Sequence, residues 1–401
     1  MLEGRRFWFV GIGGAGMSAL ALAAHQWGAE VGGSDRARSS YVERLEAAGI
    51  PVAVGHDAAN VPADAEVIVS SAVAPDNPEV VDRTVRKRGE LLAELVELRP
   101  SIVVAGAHGK TTTAAMIAFG LERLGLDPAY LIGGEIPQLG GNARAGGGWL
   151  VAEGDESDRT LELLHPRIAA LTNVELDHHA TFVSEDEVRE LFERWLAAAP
   201  AQVRGDELEP ASLELAVPGE HNRRNAAVAL AALELAGVAR AEAERVLPEF
   251  TGAGRRFELR GEAAGVRVFD DYGHNATKIA ATLEAARAVA GDGRVLVLFQ
   301  PHLYSRTRHL ARELGAALAS ADVVAVSEVY AAREQPSAGV SGKLVVDAVA
   351  DERPGMAVGW MPVLEDAVRF VSRRALSGDV VLTVGAGDVD RAAPLILEAL
   401  S

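Results

Sequence analysis

The chain has 401 residues, 49% hydrophobic and 24% charged, enough for two or three packed domains and too apolar for a disordered protein. A formal net charge of −18 argues against binding to nucleic acid, whose phosphates it would repel, and the absence of cysteine excludes disulfides and thiolate metal sites, which fits a cytoplasmic location. No apolar run reaches the ~18 residues that cross a bilayer, so a membrane is not expected as a partner.

Short apolar runs alternate with amphipathic helical patterns along the chain, which predicts an α/β architecture built on parallel strands. The N-terminal stretch RFWFVGIGG reads as a strand entering a glycine turn rather than as a signal peptide, and MSALALAAHQWG as the helix after it. VIVSSAV is a further strand, and the helical ELLAELVELRP ends at Pro100, so a first domain is expected over 1–99. SIVVAGAHGK, the helix TTTAAMIAFGLERLG, and the strands within WLVAEGDES and RIAALTNVELDHH open a second block. It closes with the helix in PGEHNRRNAAVALAALELAG and gives a domain over 100–255. VRVFDDYGHN, RVLVLFQPHLYSR, DVVAVSEVY and DVVLTVGAGD repeat the alternation over 256–401.

Four groups of residues carry chemistry. In GAHGKTTT, a strand, a glycine turn and a helix start present free backbone N–H groups and a positive helix end to a phosphate. Lys110 adds a point charge, and the hydroxyl of Thr111 can ligate Mg²⁺. The loop is shorter than the usual phosphate-loop spacing, because position 104 is Val where that spacing needs glycine. In GIGGAG, Gly11, Gly13 and Gly16 follow a strand, and Asp35 follows at the distance of a dinucleotide fingerprint. That loop suits NAD or the diphosphate of another nucleotide, such as a UDP-sugar. Glu153 and Asp155, then Asp177 and His178, stand after strands of the block that carries the phosphate loop, where a carboxylate and a neutral imidazole suit a divalent cation. In the last block Arg255 and Arg256 could meet phosphate, Asp271 could accept from a ribose, and Arg306 could hold a carboxylate.

The motifs GIGGAGMSALA, SSA, GAHGKTTT, AEGDESD, DH, PGEHNRRNA, GRRF, DDYGH, QPHLYSRTR, VYAA and GAGD occur in that order over nearly the whole chain. In this the sequence resembles the Mur ligases. The resemblance implies a Rossmann-like N-terminal domain for a UDP-sugar, a central ATPase domain of the phosphate-loop type, and a Rossmann-like C-terminal domain for an amino acid. It implies ATP and Mg²⁺ as cofactors, and UDP-N-acetylmuramate or a similar UDP-sugar, with L-alanine, as substrates of a monomer or dimer. It moves the GIGGAG loop from NAD to the UDP diphosphate, with Gly11, Gly13, Gly14, Gly16, Ser34, Asp35, Ser70 and Ser71 facing the sugar nucleotide. Gly106, His108, Gly109, Lys110, Thr111 and Thr112 would hold the ATP phosphates. His221, Asn222, Asn225, Arg256 and Asp271 would contact the nucleotide. Thr111, Glu153 and His178 would hold the metal, and Tyr272, His274 and Arg306 the incoming amino acid. Lys110, Glu153, His178 and Arg306 would carry catalysis. A carboxylate of the sugar would attack the γ-phosphate, and the amine would then displace phosphate from the acyl phosphate. No protein nucleophile is required.

The sequence departs from the family pattern at AHGK for THGK, at DHHAT, where alanine replaces an aspartate, and at GHNAT for GHHPT. Leu303 in PHLYSRTR stands where an arginine would help hold the amino acid's carboxylate, which points to a compensating donor or to a different amine. The span from Phe182 to Pro218 is shorter than its family counterpart. Other readings of the motifs are a nicotinamide-dependent oxidoreductase and a non-catalytic nucleotide-binding regulator. The first leaves GAHGKTTT unexplained, and the retained lysine and metal-type ligands speak against the second.

Overall fold

A computed structural model describes the chain except for Ser71, residues 177–180 and Arg333. Of the expected site residues, Ser71 and His178 therefore lie outside the described residues, as does Asp177. The rest divides into two compact units, Met1–Ala216 with Asn222–Thr251, and Val217–His221 with Gly252–Ser401. The expected α/β architecture is present as three sheets, two in the first unit and one in the second.

The first sheet holds β1 (Arg6–Val10), β2 (Glu30–Asp35), β3 (Val52–Val54), β4 (Glu66–Val69) and β5 (Val85–Lys87), all parallel, in the order β3-β2-β1-β4-β5. Parallel neighbours need crossover connections, and α1 (Ala15–Gln26) and α2 (Ser40–Ala47) supply two of them before α3 (Arg88–Glu97) leads out of the sheet. Strand order reverses at β1, so the turn after it, Gly11–Gly14, lies at a switch point where open sheets bind ligands.

The second sheet holds β6 (Ser101–Ala105), β7 (Ala129–Leu131), β8 (Ala143–Arg144), β9 (Leu150–Glu153), β10 (Ile168–Leu171) and β11 (Ala201–Arg204), in the order β11-β10-β6-β9-β7-β8. Its helices are α4 (Lys110–Arg123), α5 (Glu185–Ala198), α6 (Glu220–Leu235) and α7 (Arg240–Val246). Every residue of β6 is buried, as its unbroken apolar run requires of a strand covered on both faces. One apolar core serves both sheets of this unit. Phe7, Phe9, Leu20, Leu91 and Leu95 from the first belong to the same cluster as Val103, Leu150, Phe192 and Trp195 from the second. The loops of the two sheets are thereby fixed to one another.

The third sheet holds β12 (Glu258–Ala263), β13 (Val266–Asp271), β14 (Val295–Phe299), β15 (Val323–Val326), β16 (Ala357–Trp360) and β17 (Val380–Val384), in the order β12-β13-β17-β14-β15-β16. Only the β12–β13 pair is antiparallel. α8 (Ala276–Ala290), α9 (Tyr304–Leu318) and α10 (Lys343–Glu352) pack with one face. α11 (Leu364–Ser372) and α12 (Ala392–Leu400) pack with the other. Period-two alternation along β14 sends Val295, Val297 and Phe299 to the first core and Leu296 and Leu298 to the second.

Arg255 ties this unit together rather than standing free for phosphate. Its guanidinium donates to Asp270 at 2.9 Å and to the carbonyls of Gly387 and Gly385 at 2.9 and 2.7 Å. Asp270 is fully buried, and that burial raises its pKa although Arg255 and Thr383 work against the rise. Removing the partner of a buried charge typically costs ~3–5 kcal/mol. Arg255→Ala is therefore expected to destabilise the protein by about that much at neutral pH. A carboxyl whose folded pKa lies above its unfolded value loses stability as pH rises. The deficit should then shrink from pH 7.5 to pH 5 as Asp270 protonates, which urea denaturation at both pH values would measure.

Candidate active site

The phosphate-loop region assembles at the carboxyl ends of three adjacent strands, β10, β6 and β9. After β6 the chain turns through Gly106 and Gly109, at φ +127° and +78°, a region that favours glycine. Space closes both positions as well. A Cβ on Gly106 would lie 2.2 Å from the Thr172 hydroxyl, and one on Gly109 would lie 2.2 Å from Asn225 Oδ1. The turn is clamped from β10: the Thr172 hydroxyl and the Asn173 amide donate to the His108 carbonyl at 2.5 and 3.0 Å, and Asn173 Oδ1 accepts from the His108 N–H at 3.0 Å. The His108 ring meets Glu175 through Nε2. Asn225 Nδ2 donates to Asn222 Oδ1 at 3.3 Å on α6, and both residues are buried.

Lys110 is the first residue of α4. Its ammonium donates to the Gly106 carbonyl at 2.6 Å and to Glu156 at 2.9 and 3.2 Å. Glu156 follows β9, and its side chain is only 3% exposed. Burial pulls the Lys110 pKa down, but Glu156, Asp155 and Glu153 outweigh it and hold the group above the usual lysine value. Burial pushes Asp155 up, while Lys110 and Ser157 outweigh it and keep the carboxylate ionised. One residue on, the Thr111 hydroxyl donates to Glu153 Oε2 at 3.1 Å, and Glu153 Oε1 accepts from the Gly133 N–H at 2.6 Å. Thr112 is buried in the same helical turn.

A hydroxyl and a carboxylate side by side at a helix start are hard oxygen donors of the kind Mg²⁺ takes. Among the described residues no group of three histidine, cysteine, aspartate or glutamate side chains forms that could hold a metal ion.

In the glycine turn after β1, Gly11 has φ +77° and donates to the Ser34 carbonyl at 2.8 Å. The Gly13 N–H donates to Asp35 Oδ2 at 2.8 Å, so Asp35 braces this turn. Gly14 has room for a Cβ, whereas Gly16 faces the guanidinium of Arg88. Ser34 is buried, and its hydroxyl turns inward to the buried Glu79. Ser70 accepts from the Ala72 N–H at 3.3 Å.

In the second unit, Asp271 ends β13 and accepts from the N–H groups of Phe257 and Gly273 at 2.9 and 2.7 Å. Arg256 lies over the Tyr272 ring at 5.0 Å. Tyr272, His274, His302 and Tyr330 form a row of neighbouring rings at the carboxyl ends of β13, β14 and β15, and Arg306 donates to His302 at 3.4 Å. His221 also belongs to this unit; burial lowers its pKa, opposed by Asp271 and Glu284. Leu303 caps α9 at φ +68°, a strained conformation for a side chain of its size, and donates to the Tyr330 carbonyl at 2.9 Å.

The structure thus brings together Gly106, His108, Gly109, Lys110, Thr111, Glu153 and Asn225, and separately Arg256, Tyr272, His274 and Arg306. Motif reading passed over Glu156, Thr172, Asn173 and Glu175 beside the phosphate loop, and His302 and Tyr330 in the aromatic row. Glu156 lies in EGDES, and nothing local marks it as the buried acid.

The fold and this site define an α/β protein with glycine turns after β1 and β6, each leading into a helix. The family described as "Mur ligase family, catalytic domain" matches residues 6–98, and that described as "Mur ligase, glutamate ligase domain" matches residues 255–387. A UDP-N-acetylmuramate–L-alanine ligase of Streptomyces coelicolor is 43% identical over 98% of this chain and 97% of its own length. The crystal structure of UDP-N-acetylmuramate–alanine ligase from Thermotoga maritima has a TM-score of 0.84 at 28% identity, covering 98% of each chain. A murein peptide ligase from Psychrobacter arcticus has a TM-score of 0.71 at 25% identity, covering 99% of each. The chain belongs to the Mur ligase family. The nicotinamide reading of GIGGAG finds no support in these relatives. The alignment with the Streptomyces protein runs over 455 positions against 401 residues here, so the relative has at least 54 residues (455 less 401) that this chain lacks.

A lysine in an open loop could be lost without effect on stability, but Lys110 neutralises a buried carboxylate. Lys110→Ala is expected to lower stability by ~3–5 kcal/mol as well as to cut turnover by ~10²-fold or more. Thermal denaturation and phosphate release on the same preparation would check both.

Proposed function

We propose that this protein joins L-alanine to the lactyl carboxylate of UDP-N-acetylmuramate at the expense of ATP, in the cytoplasm, as a step of peptidoglycan precursor synthesis. The observation that carries the reading is the Lys110–Glu156–Gly106 knot beside the Thr111–Glu153 pair, in a chain 43% identical to a ligase of that name. The carboxylate attacks the γ-phosphorus and ADP leaves, giving an acyl phosphate. The free amine then adds to the acyl carbon, and the tetrahedral intermediate expels inorganic phosphate and loses a proton to give the amide. Phosphoryl transfer needs positioning and charge neutralisation more than covalent help. Lys110 supplies a fixed cation, and the first backbone N–H groups of α4, which lack intrahelical partners, supply preorganised donors. Thr111, Glu153 and His178, the last outside the described residues, would hold Mg²⁺, which neutralises phosphate charge when bound. Asn222, Asn225, His221, Arg256 and Asp271 are assigned to the nucleotide, and Tyr272, His274 and Arg306 to the amino acid.

A second reading, transfer of a different amino acid or a peptide, is favoured by Leu303, which puts an apolar side chain where the family pattern has a guanidinium. Phosphate release with ATP, Mg²⁺, UDP-N-acetylmuramate and a panel of amino acids decides between them. Release with L-alanine at sub-millimolar KM is the expected result, and release only with another amine would favour the second reading. Leu303→Arg reports on the same pocket: a lower KM for L-alanine would mean that a carboxylate donor is missing there, a higher one that the pocket is complete without it. Glu153→Gln should shift the activity curve to higher Mg²⁺, as loss of one ligand requires. An unshifted curve would remove Glu153 from the metal.

A further inference from the structure

We propose that Arg88 is a further substrate-positioning residue, a cation held over the first turn of α1 to take the diphosphate of the UDP-sugar. The inference rests on the sugar-nucleotide reading of the GIGGAG turn. Arg88 is the first residue of α3 and follows Arg86 and Lys87. Cations are disfavoured at a helix N-terminus, where the dipole is positive, so local helix stability does not account for it. Its side chain crosses instead to the glycine turn, where Nη1 lies 3.0 Å from the place a Cβ on Gly16 would take. The third glycine of such a fingerprint ordinarily allows close helix–strand packing; here its bare face admits a guanidinium.

The position is rigid. A Cβ on the next residue, Gly89, would lie 2.5 Å from the Thr160 hydroxyl, so the start of α3 presses on the segment that follows Glu156. Arg88 Nη2 meets Asp158 of that segment at 3.4 Å, a long contact for an ion pair, with 21% of the arginine side chain exposed. The guanidinium therefore stands beside the first turn of α1, held at long range by Asp158 and in the field of Asp155, contacts that a diphosphate can outcompete. Paired N–H groups on a planar cation match phosphate oxygens bidentately.

Calorimetry of the full chain with UDP isolates this contact, because UDP carries the diphosphate and lacks the lactyl carboxylate. Arg88→Ala should weaken UDP binding about 10- to 100-fold, Arg88→Lys should recover part of it, and Asp158→Asn should leave it equal or tighter. Binding of a non-hydrolysable ATP analogue should not change in any of the three. Unchanged UDP affinity in Arg88→Ala overturns the proposal. So does an equal loss for UDP and the ATP analogue, or a loss in Asp158→Asn, since either marks a packing role. Should Arg88→Ala fail to fold, Arg88→Lys and Asp158→Asn decide in the same way. A wild-type protein that binds NAD and no UDP overturns the sugar-nucleotide reading itself, and this proposal with it.

Discussion

The reacting end of this molecule depends on one buried ion pair, Lys110 with Glu156. A lysine at a helix start is badly placed electrostatically, and a glutamate under a loop is costly to bury. Each offsets the other's cost. Glu156 anchors the ammonium beneath the turn, the Gly106 carbonyl takes a second of its protons, and the cation is held aimed without a bound ligand. The neighbouring Thr111–Glu153 contact follows from the same two strand ends, since β6 delivers the threonine and β9 both carboxylates.

An acidic chain that is to bind anions must concentrate its positive potential locally. This one relies on backbone as much as on side chains. The helices after β1 and β6 start at glycine turns, where their first N–H groups have no intrahelical partner, with Lys110 at one turn and Arg88 near the other. The apolar core shared by the first two sheets holds those turns in a fixed relation, so the distance between them is a property of packing. In the second unit an arginine of the same GRRF motif is spent on architecture. Arg255 closes on Asp270 and two carbonyls, while its neighbour Arg256 lies on Tyr272.

Much of this was legible in the order of residues. Period-two and helical apolar patterns give three α/β blocks, and glycine, lysine and threonine at fixed spacing mark the phosphate turn, because those properties depend on neighbours along the chain. The α/β class is legible at that level, while the family, and the placing of Thr111 and Glu153 in one site, came from the resemblance carried by the order of the motifs. What tertiary structure alone decided is which polar groups are buried and what they face. Glu156 rather than Asp155 takes the lysine, Ser34 turns inward to Glu79, Asp35 braces its own loop, and Arg88 reaches Gly16 from 72 residues away. These pairings are set where strands distant in sequence end side by side, and burial there converts a weak surface charge into a strong, directed one.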